Sequence, residues 1–319
     1  MKALALVLSI CLLLAGAVAC PAAESQPSEL AGTITLSGAW ALYPMAIRWA
    51  EEFTKIHPNV HIDIGAGGAG KGMADALAGA VDLGMVSRDV YPAEIERGAW
   101  WVSVTRDAVV PVVSSLNPII DRLLKSGATR EELSALWLGD APGTWGELEG
   151  GDFRQPVRVY TRSDACGAAK TWASYLGGEQ EDLHGVGVYG DPGLADAVRR
   201  DALGIGYNNI NYVYDTTTGL PVAGLSVLPI DTDGDGAIGE GEDFYSTRDE
   251  VVAAIAVGLY PSPPARDLHL VSGGRPGSDL VIEFLRWVLA DGQRYIHEAG
   301  YVTLPEEKLK EQWAKLGSE

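Results

Sequence analysis

Residues 33–88 read TITLSGAWALYPMAIRWAEEFTKIHPNVHIDIGAGGAGKGMADALAGAVDLGMVSR. The β-branched run TITLSG (33–38) ends on glycine and gives way to MAIRWAEEFTKIHP (45–58), whose apolar residues recur at helical spacing. VHIDIGAG (60–67) alternates as a strand does, KGMADALAGA (71–80) returns to a helix, and DLGMVS (82–87) is extended again. Two strand–helix units in succession specify an α/β fold with a mainly parallel sheet, because parallel neighbours need a crossover helix between them.

The same alternation continues outward. AVVPVVSS (108–115) is a buried strand, followed by a helix near NPIIDRLLKSG (117–127). VRVYTRSD (157–164) is a strand running into the helix AAKTWASYLG (168–177). FYSTRDEVVAAIAVG (244–258), DLVIEFLRWVLADGQRYIHEAG (279–300) and PEEKLKEQWAKL (305–316) are helical. The length of 319 residues suggests two domains.

Upstream, Lys2 and the apolar run at 3–19 have the layout of a secretory signal, so residues 1–19 are set apart from the fold. Ala17-Val18-Ala19-Cys20 resembles a lipobox, which makes Cys20 the lipidated first residue and residues 20–30 a tether. The alternative is a plain cleavage site in which Cys20 carries no lipid. An exported cell-envelope lipoprotein is the expected location. Cys11 leaves with the signal and Cys20 is acylated, so only Cys166 remains and no disulfide framework can form. The net charge of −19 argues against nucleic acid and offers no long-range attraction to an anion. An anion site would therefore depend on local donors.

Three glycine turns fall where a strand hands over to a helix: Gly38-Ala39, Gly67-Gly68-Ala69-Gly70 and Cys166-Gly167-Ala168. In open α/β sheets ligands bind at the carboxyl ends of strands, where unpaired N–H groups of helix starts suit an anion. Arg88 and Arg162 stand at comparable strand ends and offer planar forks to an oxyanion or carboxylate. The competing reading of both is an inter-lobe salt bridge. Lys71 adds a point charge at the helix after the second turn.

Gly38-Ala39-Trp40-Ala41-Leu42-Tyr43-Pro44, running into RWAEEF, resembles the opening turn of the phosphate-type solute-binding proteins of ABC importers. Gly67 to Gly72 with Gly79 to Arg88 is similar to their second turn, and Arg162 to Ala168 to their R-x-x-x-SGT turn. The stretch from Asp107 through Asn117-Pro118 to Trp145, Gly204-Ile205-Gly206-Tyr207, Tyr260-Pro261 with Leu268 to Val271, and Asp291 to Val302 follow the family in order. The resemblance implies a two-lobed clamp joined by hinge strands that closes on a solute and docks on a membrane permease, working as a monomer. Lobe 1 is expected at 31–113 plus 258–319, lobe 2 at 114–224, and a return crossover at 225–257. The ligand residues it implies are Ser37, Gly38, Ala39, Trp40, Ala41, Ala69, Gly70, Lys71, Ser87, Arg88, Arg162, Asp164, Cys166, Gly167 and Ala168.

This chain departs from that pattern where relatives place hydroxyls: it has Ala39, Trp40 and Ala41, then Ala69, then Cys166 and Ala168. Ser37 and Ser87 are the hydroxyls left nearby. Where some relatives have an aspartate that takes a proton from hydrogen phosphate, Arg88 stands, and Asp164 is the substitute acceptor or simply orients Arg162. Trp40 caps an enlarged pocket, stacks on an organic ligand, or packs the lobes together. Phosphate is the default ligand, with another oxyanion or a small organic anion as the alternative.

A second site is written in DTDGDGAIGEGE (231–242), which fits the twelve-residue EF-hand loop. Asp231, Asp233, Asp235 and Glu242 supply carboxylates, Ala237 its carbonyl, and Gly236 the sharp turn, so structural Ca²⁺ is expected, stiffening the hinge or fixing lobe geometry. The competing reading is a solvated acidic turn. An enzyme is the rival class: Cys166 at a helix start could be a nucleophile, but no base, zinc spacing, P-loop or GxSxG elbow accompanies it. A sensor or calcium-dependent surface protein on the same scaffold stays open.

Overall fold

The computed structural model describes residues 30–139 and 143–317. The expected signal at 1–19, the lipidation site Cys20 and the tether as far as residue 29 lie outside the described residues.

The chain opens with β1 (Gly32–Gly38), α1 (Tyr43–Ile56), β2 (Val60–Ala66), α2 (Ala69–Leu77) and β3 (Leu83–Val86), the units expected from the sequence. Pro44 sits in the first turn of α1, where its missing N–H costs nothing. The helix buries Met45, Ala46, Trp49 and Phe53 on one face, and the Trp49 indole donates to the Gly292 carbonyl at 2.9 Å. After α3 (Pro92–Glu96) comes β4 (Ala99–Ser114), 16 residues long. Then follow α4 (Ile120–Ser126), β5 (Ala128–Thr129), α5 (Arg130–Leu138), α6 (Trp145–Leu148), β6 (Arg158–Arg162), α7 (Gly167–Leu176), β7 (Val186–Val188), α8 (Gly190–Arg200) and β8 (Gly204–Asn209). β9 (Leu225–Val227), β10 (Ile230–Asp231) and α9 (Arg248–Val257) lead to β11 (Ala265–Gly273), α10 (Asp279–Leu289) and α11 (Glu306–Leu316). Thr129, Thr144 and Thr247 cap α5, α6 and α9, each accepting from the N–H three residues on.

The strands run in the order β2-β1-β3-β11-β4-β8-β6-β7, with β9 also on β4. β1 pairs parallel with β2 and β3, and β6 parallel with β7 and β8. β4 is the pivot. Its residues 99–108 pair antiparallel with β11, whereas Val109–Val113 pair with β8 and Val112–Ser114 with β9. Two separate cores result. One gathers Ile34, Trp49, Phe53, Met85, Leu270 and Phe284; the other gathers Val110, Trp137, Trp172, Tyr207, Val251 and Tyr260.

Both lobe boundaries differ from the expected ones. Residues 109–113 belong to the second sheet, since β4 changes partners after Ala108. The segment 225–257, expected as the return crossover, is part of lobe 2: Leu225, Val227, Ile230, Phe244, Val251 and Ile255 are buried in its core. The chain returns at 258–265, where Tyr260 donates its hydroxyl to the Val109 carbonyl at 2.6 Å beside the pivot. No helix among the described residues is long and apolar enough to cross a membrane.

Candidate anion-binding site

The first turn is fixed by its glycine. Gly38 has φ +130°, and a Cβ there would lie 2.3 Å from the Met85 carbonyl oxygen. The Gly38 carbonyl accepts from Gly67 and Gly68 at 2.8 and 3.0 Å, and Ala39 donates to Met85 at 2.8 Å. The first two turns and the end of β3 are thus stitched together by backbone. Ala39, Ala41 and Ala69 are buried and bring no polar atom from their side chains. Ser37 donates to Asp75 at 2.6 Å, and the exposed Lys71 donates to the same carboxylate. Those two hydrogen bonds, Lys71 first, hold the Asp75 carboxyl below its ordinary range. Ser37 and Lys71 are therefore engaged with α2.

The third turn belongs to lobe 2. Trp137, Trp172 and Tyr207 pack ring to ring beneath it, with Trp172 and Tyr207 stacked at 5.7 Å. Trp137 donates to the Tyr160 carbonyl at 3.1 Å, and the Tyr207 hydroxyl accepts from the Arg162 N–H at 3.1 Å, which fixes the end of β6. Cys166 is the N-cap of α7, its Sγ accepting from Ala169 at 3.4 Å. Burial pushes the thiol up to about 12, the reverse of an activated nucleophile. Ala168 is buried beside it.

The turns of the two lobes touch. Gly70 donates to the Ala165 carbonyl at 3.2 Å, and Gly167 lies so close to Ser87 that a Cβ would come within 2.2 Å of its carbonyl oxygen. The structure therefore brings residues 38–41, 67–70, 87 and 164–168 to one inter-lobe locus, in a closed arrangement.

The two arginines part company there. Arg88 is not aimed at the opposite lobe: its guanidinium forms a fork with Glu94 at 2.9 and 2.7 Å and lies 4.0 Å over the Tyr91 ring, all within lobe 1. Burial works against the Glu94 carboxylate, but the bonds from Arg88 and Tyr91 outweigh it and hold its pKa down. Arg162 stays at the locus. It makes two bonds to Asp164, at 2.8 and 2.6 Å, and a third to Asp191 at 2.6 Å. Desolvation would lower the guanidinium pKa, yet Asp191 and Asp164 raise it, so the charge is locked in.

Asp191, in the first turn of α8, went unrecognised in the sequence. It also accepts from Asn209 Nδ2 at 2.6 Å. Asn209 in turn accepts from Arg266, which pairs with Asp107 of β4 at 2.9 Å and donates to Thr171 at 3.0 Å. A buried polar chain thus runs from the third turn to the hinge strands. Asp191 precedes Pro192 at a helix start, a signature readable in sequence; the partnership with Arg162 is set by tertiary packing.

Beside the turns lies an inter-lobe cavity of about 490 Å³ reached by Arg88, Arg106, Lys170, Arg266 and Lys308. Each cation is matched by a carboxylate: Glu94, Asp267, Glu179, Asp107 and again Asp267. Trp40 spans the boundary, packing on Gly190 and edge-on to Tyr189, while its carbonyl accepts from the Tyr212 hydroxyl at 2.9 Å.

The acidic loop forms a compact turn. Oxygens of Asp231, Asp233 and Asp235 lie within 4.8 Å of one another. Asp231 accepts from Gly234 and Gly236 at 2.7 and 2.9 Å, Asp233 from Asp235 at 3.1 Å, and Asp235 from Ala237 at 2.9 Å. Glu242 is buried, its Oε1 accepting from Thr232 and its Oε2 from Gly239 at 3.3 Å. The loop is anchored on lobe 2, not on the hinge as expected. β10 pairs with β5, and Ile238 donates to the Lys125 carbonyl at 2.7 Å.

Comparison with known proteins agrees with this geometry. The phosphate-binding protein PstS of Methanocaldococcus jannaschii is 27% identical, over 97% of this chain and 94% of its own length. That of Pseudomonas aeruginosa is 24% identical, over 92% and 89%. That of Bacillus subtilis is 28% identical over 62% of this chain, an alignment that spans 64% of the relative. A crystal structure from Clostridium perfringens, described as a phosphate ABC transporter substrate-binding protein with bound phosphate, superposes with a TM-score of 0.70. It is 21% identical and covers 86% of this chain and all of that one, a likeness of fold. The profile of the PBP superfamily domain matches residues 23–292, across both lobes and the hinge between them, and the chain belongs to that superfamily.

Proposed function

We propose that this protein is the solute-binding component of an ABC importer and that its lobes close on an inorganic oxyanion, phosphate first. The observation that carries this reading is the meeting of three strand-to-helix turns, from both lobes, beside the Arg162–Asp164–Asp191 group. Backbone N–H groups at helix starts bind anions without needing side chains, which suits a locus whose alanines have replaced hydroxyls. The names of the relatives place phosphate at the head of the candidates.

The electrostatics narrow the choice. One guanidinium and two carboxylates give the group a formal charge of −1 (+1 − 2). A fully deprotonated oxyanion would meet these carboxylates with no donor of its own, whereas hydrogen phosphate can donate its O–H in a hydrogen bond to Asp164. The hydroxyl-poor turns keep another protonated oxyanion or a small organic acid as the second reading, and a sensor on the same scaffold as the third. A permease as docking partner, action as a monomer and a lipid anchor at Cys20 complete the proposal.

Thermal-shift titration against phosphate, sulfate, molybdate, tungstate and small carboxylates tests it, since a ligand of the native state must raise the melting point. A phosphate-selective rise that Arg162→Ala abolishes is expected. A rise with another anion alone would replace phosphate, and no rise with any would remove the function.

We also propose that Ca²⁺ binds the 231–242 loop. Three clustered carboxylates, an available Ala237 carbonyl and the buried Glu242 form a hard oxygen donor set. The ion would brace the loop against α4 and β5 within lobe 2. Chelation should lower the melting point of wild type and leave Asp233→Ala unchanged; equal behaviour of both refutes it.

A further inference from the structure

We infer that the indole N–H of Trp40 is a hydrogen-bond donor to the captured anion and a determinant of which anion is accepted; this rests on the oxyanion-binding reading above. Trp40 lies in the first turn, on lobe 1, yet its ring packs across the boundary onto Gly190, the first residue of α8. A Cβ on Gly190 would lie 3.3 Å from the indole Cε2 and 3.4 Å from Nε1. The Gly190 N–H itself donates to Asp164 at 3.2 Å. Gly190 thus has the N–H edge of the lobe 1 indole on one side and Asp164 of the Arg162–Asp164–Asp191 group on the other.

That N–H is sealed from solvent and has no acceptor in the closed protein. A buried donor without a partner is a standing cost that a ligand oxygen would remove. Trp49, Trp137 and Trp145 donate their indole N–H groups to backbone carbonyls. Trp172 and Trp287 do not, but each is enclosed in the core of a single lobe. Of the three buried indole N–H groups without a partner among the described residues, that of Trp40 is the one on the surface that parts when the lobes open. The Tyr212 hydroxyl, from lobe 2, holds its carbonyl and so fixes the turn in closure.

The substitution pattern agrees. Side-chain donors are missing at Ala39, Ala41, Ala69 and Ala168, and an indole is a donor that cannot accept. Beside a carboxylate that only accepts when ionised, it selects a ligand carrying both an unprotonated oxygen and an acidic O–H. A tetrahedral oxyanion holding one proton meets both demands at once.

The test compares wild type, Trp40→Phe and Trp40→Leu by calorimetric titration with phosphate, and follows the ¹⁵N-indole resonance that disappears in Trp40→Phe. Trp40→Phe keeps the ring and loses the donor. It should weaken phosphate binding roughly 10- to 100-fold, with a ligand-free unfolding midpoint no lower than wild type. In wild type, the indole proton should shift on saturation. Equal affinity in Trp40→Phe, or an unmoved resonance at saturation, overturns the assignment and leaves the oxyanion reading intact. A wild type that binds none of the oxyanions overturns both.

Discussion

Gly167→Ala should prop the clamp open while leaving each lobe folded. Gly167 starts α7, and its neighbour across the boundary is the main chain of lobe 1: a Cβ would lie 2.2 Å from the Ser87 carbonyl oxygen and 2.7 Å from its carbonyl carbon. A side chain could swing aside, but a carbonyl held at the end of β3 cannot. Ordinary contact requires that the lobes move apart by roughly 1 Å, against contacts that closure otherwise gains. Forced methyl groups in packed interfaces cost about 1–3 kcal/mol. Charged to closure alone, that is roughly a 5- to 150-fold fall in apparent affinity, because only the closed fraction binds tightly. Within lobe 2 the change is benign, since Gly167 lies outside the left-handed region and alanine favours a helix. Small-angle scattering should show a larger radius of gyration in the presence of phosphate, calorimetry the weaker binding, and urea unfolding no loss of stability. Unchanged affinity and unchanged scattering would refute the closed-turn contact.

Arg162→Ala should destabilise the fold by about 3–5 kcal/mol in urea unfolding, because two buried carboxylates lose their counter-charge; a loss under 1 kcal/mol would mean that water reaches the group. Cys166 in native protein should alkylate at pH 8 about a thousandfold more slowly than in urea, its thiol being held near 12 rather than 9.0. Rates within tenfold, measured by peptide mass spectrometry, would contradict that burial. His269 is buried 3.0 Å from the Ser103 hydroxyl, and desolvation brings its pKa down to about 4 from 6.5. The unfolded chain then takes the proton first, so stability present above pH 6.5 is lost as pH falls toward 4, by about 3 kcal/mol. His269→Asn should flatten that part of the urea-midpoint profile, and parallel profiles would exclude His269 as the source.

The strands and helices were legible because alternation and helical spacing are local, as in 33–88. The pivot was not. The first half of β4, AWWVSVTRD, carries tryptophans and polar residues together, and its partner β11 lies some 160 residues away, so its sheet cannot be read from neighbours. Segment 225–257 resembles a loose connection because of its acidic loop, yet its apolar residues face the lobe 2 core. Of the candidate site, the turns were visible as glycine patterns, whereas charge pairing was hidden. Arg88 is claimed by Glu94 six residues on, and Arg162 by Asp191 from the start of another helix. Cys166 looks like a reactive thiol in sequence and proves to be a helix cap under burial, a distinction that depends on what covers it.

The shared strand also sets an order of assembly. Ala108 and Ala265 are cross-strand partners, so everything between them leaves lobe 1 and comes back at the same place. Lobe 2 is therefore one continuous stretch inserted into an interrupted lobe 1. For a chain emerging from its amino terminus, the whole of lobe 2 is available before β11 arrives to sit between β3 and β4. Until then lobe 1 has β1–β3 with an open edge at its centre and no α10 to cover it. A chain of this architecture can finish its inserted half first, while its amino-terminal half stays incomplete until β11 and α10 arrive.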